Sequence, residues 1–249
     1  EDAHVEFRNV SFAYNTTTIL KEVSFTANPG TVTALVGPSG AGKSTIAMLA
    51  ARFWDIQDGE ILIGNVPIKE IPTSVLMDNI ALVFQDNMLF FDTIEENIRM
   101  GNKTATFEDV KRAACAAQCH EFIEALPDGY QTLVGEGGTY LSGGEMQRLA
   151  LARAILKDAP VILLDEATAF ADPENEGKIL EAFSHLIKGK TVLVIAHRLG
   201  TITNADHILY LDKGMITEKG THEELLALHG AYAHMWKTYN RAKEWIIDR

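Results

Sequence analysis

The sequence is poor in cysteine, in proline and in positive charge. Only 2 of its 249 residues are Cys and 7 are Pro, which excludes a disulfide framework and a collagen-like chain. Lys and Arg number 22 against 34 Asp and Glu, so the formal net charge is −12. A surface of that sign repels nucleic-acid phosphates. We therefore expect no nucleic-acid partner.

Long apolar runs and a secretory signal are also missing. No window approaches the ~18 consecutive apolar residues that span a bilayer, and the acidic start Glu1-Asp2-Ala3-His4 is not a signal peptide. With 47% hydrophobic and 22% charged residues, the composition is that of a globular domain. Because the chain does not begin with Met, we expect a piece of a longer polypeptide whose membrane segments lie elsewhere.

The two cysteines, Cys115 and Cys119, lie four residues apart in an Ala-rich stretch. A zinc site would require a second pair of Cys or His ligands nearby, and the sequence has none there. We interpret both as thiols in the core of a helical segment. Their low number suits a reducing cytosol.

Apolar runs predict an α/β fold with a β-rich entry. Imperfect alternation over residues 5–12 and the run 19–25 predict two strands before the turn at Pro29-Gly30. Residues 32–36, 161–164 and 192–195 are short, uncharged and apolar, which is typical of strands buried on both faces of a parallel sheet. A hairpin is predicted near the end, over residues 208–218.

Helical patterns concentrate in the middle of the chain, where Thr106 to Asp109 and Ser142 to Glu145 each offer a capping box. We predict a single domain in which about 1–86 and 158–249 form the α/β core and about 87–157 form an inserted helical subdomain. The predicted helices cover residues 46–53, 106–119, 142–156 and 173–186.

Residues 37–45 match the phosphate-binding loop G-x4-G-K-S in full. In such a loop, backbone N–H groups converge on an anion, the next helix adds its positive end, Lys43 reaches the phosphates and Ser44 binds Mg²⁺. The alternative is a glycine-rich turn with a chance lysine, but the position between a strand and a helix favours the phosphate site. The predicted phosphate contacts are Gly37, Pro38, Ser39, Gly40, Ala41, Gly42, Lys43, Ser44 and Thr45.

Two carboxylates, Asp165 and Glu166, follow the apolar run 161–164. Asp165 is suited to hold the magnesium's water shell, and Glu166 to take a proton from an attacking water. Strands also end in acidic residues that only cap the next element of the chain. Together with the glycine loop, the pair predicts nucleotide hydrolysis.

The segment Leu141-Ser142-Gly143-Gly144-Glu145 has two interpretations. Ser-x-x-Glu is a capping box that starts a helix in any protein, whereas two glycines weaken a helix by up to ~1 kcal/mol each and suggest the close approach of a phosphate. Together with the two nucleotide motifs, the segment closely resembles the signature of ATP-binding cassette (ABC) ATPases. The resemblance extends over nearly the whole chain.

This resemblance implies a P-loop NTPase with a RecA-like parallel core, an antiparallel β subdomain and a helical signature subdomain. It implies ATP and Mg²⁺ as ligands. Tyr14 matches the aromatic residue that stacks on adenine, and Gln85 matches the glutamine that joins the magnesium shell. Asp172 matches the aspartate at the dimer seam, and His197 matches the histidine that contacts the γ-phosphate. A Tyr or His at such positions could also be purely structural.

The family's head-to-tail dimer implies a second nucleotide-binding domain as partner, identical or not. Ser142, Gly143, Gly144 and Glu145 would then face the glycine loop of the other chain. Glu145 stands where Gln is more usual and keeps the capping-box geometry. Phe170 and Ala171 also depart from the common small residue and Leu, which concerns packing at the seam.

Segments 126–130 and 134–138 resemble those of exporter-type cassettes. They imply a transmembrane domain, fused on the N-terminal side or separate, and a location on the cytoplasmic face of a membrane, with hydrolysis coupled to substrate translocation and export favoured. Architecture does not decide direction. Two rival interpretations are an ABC ATPase acting on nucleic acid or ribosomes, disfavoured by the charge, and a regulatory nucleotide sensor, disfavoured by intact Glu166 and His197.

Overall fold

The structure is a computed structural model that describes residues 3–84, 88–165, 173–197 and 199–247. Among these residues, no helix has both the length and the apolar character needed to cross a membrane. The strands are β1 (Val5–Tyr14), β2 (Thr17–Ala27), β3 (Val32–Val36), β4 (Asp58–Ile63), β5 (Val66–Pro67), β6 (Ile80–Val83), β7 (Asp92–Thr93), β8 (Leu133–Val134), β9 (Val161–Asp165), β10 (Thr191–Ile195), β11 (His207–Asp212) and β12 (Met215–Gly220).

The α-helices account for most of the remaining described residues. They are α1 (Lys43–Ala50), α2 (Thr73–Asp78), α3 (Ile94–Arg99), α4 (Phe107–Ala116), α5 (His120–Glu124), α6 (Gly143–Lys157), α7 (Pro173–Ile187), α8 (Leu199–Thr203), α9 (His222–Ala227) and α10 (Ala231–Ile247). The chain divides into two compact units. The first comprises Glu1–Leu76, Leu164–Glu166 and Thr191–Arg249, and the second Met77–Leu163 and Ala167–Lys190.

An antiparallel sheet in the order β2-β1-β4-β5 forms the β-rich entry of the first unit. The apolar residues that alternate along β1 point into its core, and Phe7 is 1% exposed and stacks on Phe25 with ring centroids 4.7 Å apart. The register shifts where the alternation slips, around Asn9, which has a φ of 48°. This bulge explains why the alternation in the sequence is imperfect.

The same unit contains the strands β12, β11, β3 and β10, adjacent in that order. β3 pairs in parallel with both β10 and β11, whereas β11 and β12 form an antiparallel hairpin turned at Lys213-Gly214. Leu164 and Asp165, the end of β9, follow β10 in the strand order. Because the carboxyl ends of parallel strands lie at one edge of a sheet, the ends of β3 and β10 share an edge, and Asp165 at the end of β9 lies there beside His197.

α6 is the central helix of the second unit, where it packs against α3, α4, α7 and β6. Leu149, Leu151 and Ala152 on α6 are at most 1% exposed. α4 and α6 begin with capping boxes built by Thr106 and Ser142, as predicted. These caps depend on residues three apart, which is why they can be recognised in the sequence.

The predicted strands are confirmed, but two predicted helices end early. α1 ends at Ala50 because Arg52 takes a φ of 55°, and α4 ends at Ala116 because Gln118 takes a φ of 58°. This turn places Cys119 outside α4, where it is buried, and leaves Cys115 exposed. The prediction of two core thiols is therefore wrong for Cys115.

Candidate functional site

The glycine loop between β3 and α1 has a backbone that a side chain would disrupt. Gly37 has a φ of 140°, and a Cβ there would lie 2.1 Å from the backbone oxygen of Leu211. Gly42 occupies the N-cap of α1 with a φ of 105° and provides no side chain to cap the helix. The first N–H groups of α1 are thereby left for an anion. Pro38, Ser39 and Gly40 form the exposed tip of the loop.

The Lys43 side chain folds back over the loop. Its Nζ donates hydrogen bonds to the backbone oxygens of Gly37, at 2.9 Å, and Pro38, at 2.8 Å. Lys43 is only 8% exposed, and this burial lowers the pKa of its ammonium group while the charge of Asp165 opposes the shift. A poorly hydrated cation held by two backbone oxygens of the loop is suited to bind a phosphate there.

Asp165 and His197 lie together at the sheet edge, Asp165 as the last residue of β9 and His197 two residues after the end of β10. The Asp165 Oδ1 and His197 Nε2 atoms are 3.9 Å apart. Burial lowers the pKa of His197 below its ordinary 6.5, with Asp165 opposing the shift and Lys43 adding to it. The shift favours the neutral imidazole at pH 7, which has one N–H to donate. The structure thus brings Lys43, Asp165 and His197 to one site.

The donor set beside the loop fits Mg²⁺. Ser44 is exposed in the first turn of α1, whereas Thr45 is buried. Magnesium in nucleotide sites takes one or two carboxylates together with phosphate oxygens and waters. The Ser44 hydroxyl and the Asp165 carboxylate are ligands of this kind.

Tyr14 lies half-buried at the end of β1, where two other rings lie nearly perpendicular to it. Its centroid is 4.8 Å from that of Phe12 and 5.3 Å from that of Trp54, with interplanar angles of 88° and 83°. These contacts keep the packing interpretation of Tyr14 open. They also fix the orientation of a ring that a nucleotide base could stack on.

The start of α6, in the second unit, is a closed capping box. Ser142 Oγ accepts a hydrogen bond from Glu145 N at 3.3 Å, and a Glu145 carboxylate oxygen accepts one from Ser142 N at 2.8 Å. A Cβ on Gly144 would lie 3.1 Å from the Asn175 side chain, which also accepts a hydrogen bond from Arg148. Close packing against α7 is thus one reason for glycine at position 144, while Gly143 is exposed.

Several predicted site residues, namely Gln85, Glu166 and Asp172, and the departures Phe170 and Ala171, lie outside the described residues, so their roles remain predictions. Trp54, Gln57 and Asn175 each contact a candidate site residue or its neighbour, and no sequence motif marks any of the three. Gln57, for example, contacts Ala13 across 44 residues of chain. A contact over such a separation leaves no local pattern to detect.

A phosphate-binding loop between a parallel strand and a helix, facing a strand-end aspartate and a histidine, defines a P-loop NTPase domain. The ABC transporter family model matches residues 20–169, and the chain belongs to this family, whose ATPase domains bind ATP. The predicted family and fold class are confirmed.

Similar proteins include large transporters. The chain is 51% identical over 237 residues to the mycobactin import ATP-binding/permease protein IrtA of Mycobacterium tuberculosis, covering 95% of this chain and 28% of that protein. It is 47% identical over 228 residues to the ATP-dependent lipid A-core flippase of Desulfotalea psychrophila, covering 92% of this chain and 40% of that one. A bacterial Atm1-family ABC exporter solved with ATP bound superposes with a TM-score of 0.90 at 44% identity, covering 96% of this chain and 42% of that chain. The chain thus spans less than half the length of these relatives.

Proposed function

We propose that this chain is the ATP-hydrolysing domain of an ABC exporter, joined to a transmembrane domain at the cytoplasmic face of a membrane. Two such domains, identical or not, pair head to tail and couple hydrolysis to movement of a substrate. The meeting of Lys43, Asp165 and His197 beside the glycine loop carries the proposal. The relatives named for flipping and export favour export, whereas IrtA is named for import.

Each residue of the proposed site has a role that its chemistry supports. The glycine loop and Lys43 bind the phosphates, and Ser44, Asp165 and Gln85 would hold Mg²⁺, which would supply positive charge beside the phosphates. Glu166 accepts the proton of the attacking water. Neutral His197 donates a hydrogen bond to the γ-phosphate.

The second half of the proposed site comes from another chain. The start of α6, Ser142 to Glu145, offers a γ-phosphate the positive end of a 15-residue helix and the N–H groups of Gly143 and Gly144, which the capping box does not use. Asp172 lies at the seam in this proposal. The net charge of −12 opposes pairing, so nucleotide is needed to hold two chains together.

Replacing the proposed general base tests the hydrolysis. Glu166→Gln keeps the size of the side chain and removes its basicity, so we expect kcat to fall at least ~100-fold while the Kd for ATP stays within about twofold. Phosphate release and calorimetric titration measure the two quantities. Glu70→Gln, the same change at an exposed position, is the control. Turnover of Glu166→Gln within about threefold of wild type contradicts the assignment.

Light scattering tests the composite site. We expect Glu166→Gln to be monomeric without nucleotide, dimeric with MgATP at micromolar concentration, and monomeric again with ADP. Adding Ser142→Arg should abolish the dimer by blocking the helix start. Thr106→Arg, at the capping box of α4, is the matched control and should leave the dimer intact. Dimers without nucleotide, or dimers that survive Ser142→Arg, show that the interface lies elsewhere.

A further inference from the structure

The Tyr14 ring is held from several sides. Besides the edge-to-face contacts with Phe12 and Trp54, its hydroxyl lies 3.9 Å from the sulfur of Met48. Edge-to-face pairs have a preferred geometry because the positive edge of one ring meets the negative face of the other. The three contacts together leave Tyr14 little freedom to rotate.

The backbone before Tyr14 is held by a side chain. Gln57 Oε1 accepts a hydrogen bond from Ala13 N at 2.9 Å, and Gln57 Nε2 donates one to Ala13 O at 3.2 Å. β4 pairs with β1 only as far as the Ser11 and Asp58 partners, and Gln57 immediately precedes β4. The side-chain amide of Gln57 therefore continues this pairing up to the residue next to Tyr14.

Trp54 and Gln57 belong to the segment that follows α1, and this segment is itself anchored. The Arg52 guanidinium donates hydrogen bonds to the backbone oxygens of Ile68 and Ile71, each at 3.1 Å. The sulfur contact to the tyrosine comes from α1. α1 begins at the glycine loop. A short stretch of chain, α1 and the segment after it, therefore connects the loop with the residues that contact Tyr14 and its neighbour Ala13.

Trp54 also lies open to a ligand. It is 52% exposed, and it lines a cleft of about 200 Å³ together with Tyr14 and Gln57. We propose that Trp54 and Gln57 are positioning residues that hold the Tyr14 ring in the orientation in which it stacks on the nucleotide base. This inference rests on the assignment of Tyr14 in the proposed function and adds two residues to it.

The proposal separates binding of the base from binding of the phosphates. We would titrate the 249-residue chain with MgATP and, separately, with inorganic tripolyphosphate, which lacks a base. Trp54→Ala should raise the Kd for ATP about 2- to 12-fold, the range that corresponds to an aromatic pair, and leave the Kd for tripolyphosphate unchanged. Gln57→Leu should act in the same direction, and Trp54→Phe, which keeps an aromatic ring for the contact, should restore most of the affinity.

A double-mutant cycle tests whether Trp54 acts through Tyr14. If it does, Trp54→Ala adds nothing to the loss caused by Tyr14→Ala. Trp236→Ala, which removes a tryptophan in edge-to-face contact with His222, is the matched control and should leave ATP affinity unchanged.

Three results overturn the inference. The first is that Trp54→Ala weakens the binding of ATP and of tripolyphosphate equally. The second is that the losses of Trp54→Ala and Tyr14→Ala add up in the double mutant, and the third is that Trp54→Ala leaves ATP affinity unchanged although Tyr14→Ala weakens it. If Tyr14→Ala itself leaves ATP affinity unchanged, the base contact in the proposed function is wrong, and the positioning role with it.

Discussion

The glycine loop and the start of α6 are both candidate phosphate sites, yet they are built differently. The loop keeps Gly37 at a φ of 140° against the Leu211 carbonyl and draws the Lys43 ammonium into a partly desolvated position. The start of α6 is relaxed, with Ser142 at a φ of −64° and its hydroxyl engaged by Glu145. Backbone geometry of the first kind persists at functional sites because the surrounding fold enforces it.

The difference is that the glycine loop shows features of a phosphate site within a single chain, whereas the start of α6 does not. The backbone at Gly37, which a side chain would disrupt, and the buried charge of Lys43 indicate the phosphate site of the glycine loop within one chain. The α6 cap has the same geometry as the cap of α9, where Thr221 and Glu224 exchange the same hydrogen bonds. The geometry of the α6 cap by itself therefore does not indicate a nucleotide site, and its role rests on the proposed pairing with a second chain.

Adding a methyl group to each site should give the largest contrast. Gly37→Ala combines a strained φ, about 1–3 kcal/mol, with overpacking against backbone, about 1–3 kcal/mol, so we expect the free energy of unfolding to fall by about 2–6 kcal/mol. Gly144→Ala meets only the movable Asn175 side chain and gains helix propensity, so its effect should stay within about 1 kcal/mol of wild type. Urea denaturation measures both. Equal losses would remove the contrast.

Removing one polar group from each site should separate their roles in binding. Lys43→Ala deletes a charged hydrogen-bond donor worth about 1.5–3 kcal/mol, so we expect the Kd for tripolyphosphate to rise about 10- to 150-fold. Ser142→Ala should leave this Kd unchanged at concentrations where the chain is monomeric. Calorimetric titration checks both variants. A comparable loss in Ser142→Ala would mean that the α6 start binds phosphate within its own chain.

The cap itself offers a sharper test of whether the α6 start is an ordinary helix end. Ser142→Ala should lower the free energy of unfolding by about 1 kcal/mol, as N-cap removals typically do. Thr221→Ala, which opens the equivalent box on α9, should lower it by a similar amount. Denaturant titration of both variants provides the comparison. A gain in stability in Ser142→Ala would indicate that the α6 start is not an ordinary helix end.

The smallest expected effect concerns His197 at the edge of the glycine-loop site. Because burial lowers its folded-state pKa below 6.5, the unfolded chain binds the proton more readily, and stability is lost as the pH falls from about 6.5 toward the lowered value. His197→Gln should reduce the decrease in Tm between pH 7 and pH 5. His207→Gln, at an exposed position, is the control. Identical pH profiles for wild type and His197→Gln would contradict the shift.

The sequence alone predicted those features that depend on neighbouring residues. Apolar runs of four or five residues predict β3, β9 and β10 because strands buried on both faces need no alternation. The caps at Thr106 and Ser142 and the glycine loop are likewise contained within a few positions, and the loop's residue types directly encode its chemistry. The candidate phosphate site could therefore be recognised before its geometry was known.

Tertiary structure decided which distant residues support that site. The contact of Gln57 with Ala13, the approach of Asn175 to Gly144 and the edge-to-face pair of Trp54 with Tyr14 join residues far apart in the chain. The end of α4 also depended on packing. Gln118 takes a positive φ there, although the helical pattern of the sequence continues past it. Such features follow from how elements pack, and packing is a property of the whole fold that no short stretch of sequence contains.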